Sequence, residues 1–89
     1  MKFGILLSGC GVYDGAEIHE ATMAMLAIME LGHEYQCISI DKDQHHVINH
    51  LNGEEMNESR NMMVESARIA RGAVTEIKDV APSDIDALV

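Results

Sequence analysis

Hydrophobic and polar positions follow one another in blocks that predict a strand, a helix and a second strand. A continuous apolar run over residues 3–7 is typical of a strand buried on both faces of a parallel sheet. Apolar positions then recur at three- and four-residue spacing across 15–31, which predicts a helix with Asp14 as N-cap and Gly32 after its last turn. A β-branched and aromatic run over 35–40 completes a β-α-β unit, whose crossover we expect to be right-handed.

The predicted first helix is apolar around most of its circumference. One face is formed by residues three and four apart, namely Ile18, Ala21, Met25 and Ile28. That face is widened by Met23, Leu26 and Met29. We therefore expect other parts of the fold to cover this helix on most sides.

The middle of the chain has a weaker pattern. Residues 45–56 fit either a short helix or a strand, with a turn at Asn52-Gly53. A second helix is predicted over 58–71, with Asn57 as its N-cap and Gly72 as its C-cap.

The last residues predict a short edge strand over 74–80 and a turn or single helical turn over 82–86. Residues 87–89 are expected to begin another buried strand beside the first one. A buried strand needs neighbouring strands and covering helices. We therefore expect the 89 residues to be the N-terminal part of a single α/β domain.

Charge and cysteine content narrow the classes of partner and location. The chain has 15 acidic and 6 basic residues, giving a formal net charge of −9, which repels phosphates and anionic membranes. We therefore expect neither nucleic acid nor a membrane as a partner. Two cysteines, Cys10 and Cys37, without a recognisable secretion signal predict free thiols in a reducing compartment, and hence the cytoplasm.

A glycine-rich segment over 8–15 joins the first strand to the first helix, where ligands of open α/β sheets bind. Gly9, Gly11 and Gly15 are spaced as GxGxxxG, one residue longer than a dinucleotide-binding turn, although Asp41 lies where a ribose-binding acid would be. The simpler interpretation is a tight turn that needs glycine for its backbone. We prefer that interpretation.

Three side chains near this turn are candidates for chemistry. Cys10 could be a reactive thiol with a lowered pKa near a helix N-terminus, but a small buried residue is the simpler interpretation. Glu17 is explained by the helix dipole. Glu20 lies among apolar neighbours, so we expect it to be buried near the 9–11 turn, with a raised pKa suited to proton transfer. The alternative for Glu20 is a solvated helix position.

The histidines do not predict a metal site. His45, His46 and His50 cluster in a polar region, but no Cys or carboxylate joins them at standard ligand spacing. We expect these side chains to be solvated or hydrogen-bonded. The charged residues between 54 and 71 are interpreted as the solvent face of the second helix.

The segment from Ile5 to Glu20, ILLSGCGVYDGAEIHE, closely resembles the start of the ElbB proteins, also known as enhancing-lycopene-biosynthesis or sigma-cross-reacting proteins. These belong to the DJ-1/PfpI superfamily. Residues 47–54, 58–61 and 67–72 are also similar to that family, so the resemblance covers nearly the whole chain.

The resemblance implies a flavodoxin-like three-layer sandwich with a parallel sheet, as in class I glutamine amidotransferases. It implies a glyoxalase-like lyase activity linked to isoprenoid biosynthesis: the conversion of a small 2-oxoaldehyde to a 2-hydroxy acid, with no cofactor or metal. The family's glutamate partner of the nucleophilic cysteine corresponds to Glu20. The nucleophile itself would follow a strand like 87–89 and is missing here, so Cys10 does not inherit that role.

The leading hypothesis is therefore an enzyme segment that lacks its nucleophile and belongs to a homodimer when complete. Its substrate-pocket wall would consist of Gly9, Cys10, Gly11, Tyr13 and Asp14. A non-catalytic ligand-binding or regulatory module is the alternative, and a dinucleotide-binding domain is a third possibility.

Overall fold

Four parallel strands form the central sheet of the computed structural model, which describes residues 1–89. In chain order the elements are β1 (Lys2–Leu6), α1 (Ile18–Glu30), β2 (Glu34–Ser39), β3 (Ile48–Asn49), β4 (Glu54–Glu55), α2 (Met62–Ala70), β5 (Val74–Glu76) and β6 (Ala87–Leu88). The sheet order is β5-β2-β1-β6, and every pairing in it is parallel. The predicted β-α-β unit and parallel sheet are confirmed.

The hydrophobic core lies between the sheet and the two helices. Helices α1 and α2 contact each other, and both contact β2. The buried residues of the main cluster are Ile5, Leu7, Ala21, Met25, Ile28 and Cys37. Three of the four residues predicted for the inner face of α1 are therefore buried, while Ile18 at its first position is exposed. These contacts fix the carboxyl end of β1 beside the start of α1.

Helix α1 begins later than the sequence predicts. The N-cap is Glu17, whose side chain accepts a hydrogen bond from the Glu20 amide at 2.7 Å, and the predicted N-cap Asp14 was wrong. The reason is a closed turn before the helix, in which the Gly11 amide donates to the Ala16 carbonyl at 3.0 Å. Because this turn uses the residues up to Ala16, regular helix can begin only at Ile18.

Helix α2 is also shorter than predicted, with Asn61 rather than Asn57 as its N-cap. The Asn61 side chain accepts from the Val64 amide at 2.9 Å and donates to Asp41 Oδ1 at 2.8 Å. The Met62 amide donates to the carbonyl of Lys42 in the loop that follows β2, which holds the preceding residues extended.

The ambiguous region over 45–56 contains the antiparallel hairpin of β3 and β4, with Gly53 in its turn at φ +77°. The edge strand β5 ends at Glu76, four residues before the predicted end. The Glu76 carboxylate accepts a hydrogen bond from the Lys78 amide at 2.8 Å and so caps a 3-10 turn over Ile77–Asp79. Pro82–Asp84 form the predicted single helical turn, and β6 lies beside β1 as expected.

The expected cover over the flank of α1 is missing. Met23, Leu26 and Met29 are each more than half exposed, so that prediction was wrong. Leu88 in β6 is also exposed, because β6 has a neighbour on one side only. Neither helix is both long and apolar enough to cross a membrane.

Candidate functional site

The glycine-rich loop is tied to the core by a chain of buried hydroxyl groups. The Gly9 amide donates to Ser66 Oγ at 2.9 Å, and Ser66 Oγ lies 3.1 Å from Ser39 Oγ. The Ser39 hydroxyl donates to the Leu7 carbonyl at 2.8 Å, and both serines are fully buried. The loop is therefore held at its start by β2 and α2, and sequence reasoning missed Ser66 because no local pattern marks it.

The glycine spacing of the loop serves close backbone packing. Gly9 has φ +114°, a conformation that favours glycine. A Cβ atom at Gly15 would lie 2.8 Å from the Cys10 nitrogen and 2.9 Å from the Gly9 carbonyl carbon. These contacts support the tight-turn interpretation.

The loop does not have the arrangement of a dinucleotide site. Helix α1 begins seven residues after Gly11, and the Glu17 carboxylate already accepts a hydrogen bond in its first turn. A pyrophosphate would meet a carboxylate where it needs free amides. Asp41 accepts from Asn61 and so serves to position α2.

A pocket of about 440 Å³ lies between the loop, the start of α1 and the β3–β4 hairpin. Three predicted pocket residues line it, namely Cys10, Gly11 and Asp14. Gly9 and Tyr13 do not line it: Gly9 is turned to Ser66, and Tyr13 is exposed and stacks on His50, with ring centroids 4.9 Å apart.

The hairpin holds the loop through polar contacts that sequence reasoning did not find. The Ile48 amide donates to Asp14 Oδ2 at 2.8 Å, and Gln44 Nε2 donates to the Asp14 carbonyl at 3.2 Å. His50 Nε2 lies 3.2 Å from the Val12 nitrogen. The Asn52-Gly53 turn was the one local feature indicating that these residues fold back.

The other histidines do not form a metal site with His50. His46 is paired with Glu55 at 3.0 Å, and His45 packs edge-on against the His46 ring. No three His, Cys, Asp or Glu side chains converge closely enough to hold a metal ion.

Cys10 has the electrostatics of a structural thiol. Burial raises its pKa above the ordinary value, and the negative charges of Glu65 and Asp14 raise it further. The positive charge of Arg68 acts in the opposite direction but does not cancel burial. The thiolate is therefore disfavoured, which supports the simpler interpretation of Cys10.

Arg60 contributes a positive charge to the pocket. Its guanidinium pairs with Glu58 at 2.6 Å and with Glu65 at 3.5 Å, and the hydrogen bond to Glu58 raises its pKa. The sequence placed Arg60 on the solvent face of a helix, whereas it precedes α2 and lines the pocket.

The two glutamates at the start of α1 have different environments. The Glu17 carboxylate accepts from the Glu20 amide at 2.7 Å and contacts His19 Nδ1 at 2.8 Å, and these contacts lower its pKa. Glu20 is exposed, so its predicted burial was wrong. The physical reason is that no other element of the chain covers the side of α1 that carries Glu20. The Glu20 carboxylate has no hydrogen bond or ion pair in the chain.

Glu20 lines a second cleft, of about 250 Å³, with Leu7, Ser8 and Val89. This cleft lies at the carboxyl ends of β1 and β6, whereas the larger pocket faces the hairpin. Four of the six predicted site residues therefore divide between two depressions on either side of the start of α1, whereas Gly9 and Tyr13 line neither.

No protein-family profile matches the chain. Among curated proteins, it is 44% identical over 89 residues to the "glutamine amidotransferase-like class 1 domain-containing protein 3, mitochondrial" of Homo sapiens, covering 99% of this chain and 33% of the relative. It is also 44% identical over 89 residues to the "ES1 protein homolog, mitochondrial" of Rattus norvegicus, covering 99% and 34%. The chain thus spans about a third of the length of these relatives.

A crystal structure of an isoprenoid biosynthesis protein with an amidotransferase-like domain, from Ehrlichia chaffeensis, superposes with a TM-score of 0.96. Its sequence is 39% identical, and the match covers 99% of this chain and 41% of that one. The fold is amidotransferase-like. This confirms the predicted flavodoxin-like class, with its parallel sheet and helices.

The predicted cytoplasmic location is contradicted by the comparisons. The human and rat relatives, and an ES1 protein of Danio rerio that is 33% identical over 85 residues, are all named as mitochondrial. Free cysteines argue against an oxidising compartment, but they do not distinguish the cytoplasm from the interior of an organelle.

Proposed function

We propose that this chain is the N-terminal part of an ElbB-type domain of the DJ-1/PfpI superfamily. The complete domain would convert a small 2-oxoaldehyde to a 2-hydroxy acid without a cofactor. The observation that carries the proposal is the unpaired Glu20 carboxylate in the cleft at the carboxyl ends of β1 and β6. The similar Ehrlichia protein is named as an isoprenoid biosynthesis protein, which supports a link with that process.

The position of Glu20 suits a catalytic group. Parallel α/β sheets bind ligands beyond the carboxyl ends of their strands, where β1, the start of α1 and β6 meet in this chain. Glu17 is one turn away, but its carboxylate is engaged by the Glu20 amide and His19. Of the two glutamates at the start of α1, Glu20 is therefore the one whose carboxylate is free to exchange a proton with a substrate or a nucleophile.

The proposed reaction balances without an external oxidant or reductant. The aldehyde carbon of the substrate is oxidised to a carboxylate, its ketone carbon is reduced to an alcohol, and one water is added. Glu20 would accept and return the proton that moves between these two carbons. The nucleophile would come from a segment outside these 89 residues, because the Cys10 thiol lines the other pocket and has a raised pKa.

The proposed partners follow from the same reasoning. A small aldehyde is the substrate, and the acidic surface favours neither nucleic acid nor a membrane. We also propose that the complete protein is a homodimer. The predicted wall residues Cys10, Gly11 and Asp14 line the neighbouring pocket and not the Glu20 cleft, so we assign them no chemical step.

The test uses a longer protein that begins with this chain, with methylglyoxal as the substrate. We expect Glu20→Gln to keep the fold and lower kcat about 100-fold or more, because a general acid–base group is removed. Glu30→Gln, which neutralises an exposed glutamate in the last turn of α1, is the matched control and should retain activity.

Two results would contradict the proposal. One is full methylglyoxal turnover by the Glu20→Gln protein. The other is turnover by the 89-residue chain that disappears in Cys10→Ser, since this would make Cys10 the nucleophile.

A further inference from the structure

Three hydrogen bonds determine which ring nitrogen of His50 carries the proton. Nε2 lies 3.2 Å from the Val12 amide nitrogen and 3.3 Å from that of Tyr13, and backbone amides can only donate. Nδ1 lies 3.0 Å from the Ile48 carbonyl oxygen, which can only accept. His50 is therefore a neutral imidazole with its proton on Nδ1, and its Nε2 lone pair holds two successive amides of the loop.

In this arrangement only one of the two oxygens of the neighbouring Asp14 carboxylate accepts a hydrogen bond. Its side chain is 5% exposed, and Oδ2 accepts from the Ile48 amide. Oδ1 is buried without a hydrogen-bond partner and lies 3.5 Å from His50 Nε2. Since Nε2 has no proton in this state, the two atoms present lone pairs to each other. A buried carboxylate oxygen without a hydrogen-bond donor is energetically unfavourable.

We propose that His50 and Asp14 form a proton-operated latch between the hairpin and the glycine-rich loop. When His50 takes one proton from solvent at Nε2, that N–H donates to Asp14 Oδ1. The amides of Val12 and Tyr13 then lose their acceptor and turn to water. The exchange gives the buried carboxylate oxygen a donor, and it leaves two amides of exposed residues that water can hydrate.

The charges around the pocket are compatible with this exchange. Glu17 and His19 line the same pocket as His50 from the start of α1, where they pair with each other. Arg60 lines the same pocket from the segment before α2, and its positive charge disfavours a second positive charge on His50. Its guanidinium is already bound by two carboxylates, which reduces that opposition. The Tyr13 ring stacks on the imidazole, and Cys10 lines the same pocket with a thiol that burial keeps neutral.

The consequence is that acid changes the wall of the larger pocket. Val12 and Gly11 line it, and His50 fixes the backbone immediately after Gly11. This inference does not depend on the proposed catalytic role of Glu20.

The test is NMR spectroscopy, between pH 8 and 5, of an isotope-labelled longer protein that begins with this chain. At high pH we expect the His50 ring nitrogens to show the Nδ1–H tautomer. On acidification the amide signals of Val12 and Tyr13 should move with the same midpoint as the His50 ring. That response should be lost in His50→Gln.

Two matched controls replace other exposed histidines. His19→Gln removes the histidine across the pocket, and His46→Gln removes one from the same polar region. Both should retain the response of the Val12 and Tyr13 amides.

An Nε2–H tautomer at high pH would overturn the latch, as would amide signals that keep their response in His50→Gln or lose it in His19→Gln. If His50→Gln does not fold, the tautomer and the shared midpoint in the unmodified chain decide the question by themselves.

Discussion

Cys10 shows how the surroundings of one residue decide its chemistry. Its place at the end of a strand, in a glycine-rich loop, left a reactive thiol open, although a small buried residue was the simpler interpretation. In the structure, burial is the largest influence on the thiol and raises its pKa. The sequence could place Cys10 in the loop, but it could not show which charges would come to lie beside it.

We expect Cys10 to react slowly with iodoacetamide at neutral pH. Because the pKa is raised, the thiolate forms only as the pH rises through that pKa, so the rate should keep increasing above the range in which an unstructured cysteine levels off. Arg68→Gln should slow the reaction further, because it removes the charge that lowers this pKa.

Mass spectrometry of the alkylated peptide measures these rates. Arg71→Gln, which removes an arginine one turn away, is the control and should leave the rate unchanged. A neutral-pH rate equal to that of the unfolded chain would refute this description of Cys10.

At the scale of elements, patterns within a few residues predicted strands and helices well but misplaced their starts. Residues 3–7 and 35–40 were found because both strands are buried, and burial leaves continuous apolar runs. The N-cap of α2 was missed because a distant contact, between Asn61 and Asp41, fixes it, whereas the start of α1 is displaced by the closed turn between Gly11 and Ala16. The burial of Glu20 was predicted wrongly for a related reason, since periodicity does not show which side of a helix lacks a neighbour.

Substituting the two asparagines before α2 separates the predicted cap from the observed one. Asn61→Ala should lower the free energy of unfolding by about 1–2 kcal/mol, since it removes the side-chain oxygen that accepts from the Val64 amide and the hydrogen bond to Asp41. Asn57→Ala, at an exposed residue whose side chain makes no hydrogen bond, should change it by less than about 0.5 kcal/mol.

Urea unfolding at one fixed protein concentration measures both values. Equal losses in the two variants would show that Asn61 is not the functional cap.

At the scale of the whole molecule, apolar surface is left open on α1 and β6. Met23, Leu26 and Met29 form an exposed stripe on the helix, and Leu88 and Val89 are exposed beside the free edge of the sheet. Contiguous apolar surface and an unpaired strand both favour association with another chain.

We therefore expect the 89-residue chain to self-associate across the micromolar concentration range, as measured by sedimentation velocity. The double variant Met23→Glu, Leu26→Glu should shift the distribution towards monomer, because charge is placed in the stripe. The control is the double variant Leu51→Glu, Met56→Glu, which adds the same charge away from the stripe. Both residues are exposed and lie in the hairpin region, and Leu51 is 96% exposed. A parent chain that stays monomeric, or equal effects of the two double variants, would exclude the stripe as a contact surface.

The hydrogen bond between Gly9 and Ser66 also sets an order of events during synthesis. Its two residues are 57 positions apart, so β1, α1 and β2 leave the ribosome well before the acceptor hydroxyl does. The glycine-rich loop can reach its final shape only after α2 has formed and docked, because Ser66 lies within that helix. A nascent chain halted before α2 would therefore hold the first β-α-β unit with an unformed loop, and the pocket would mature only after α2 has docked.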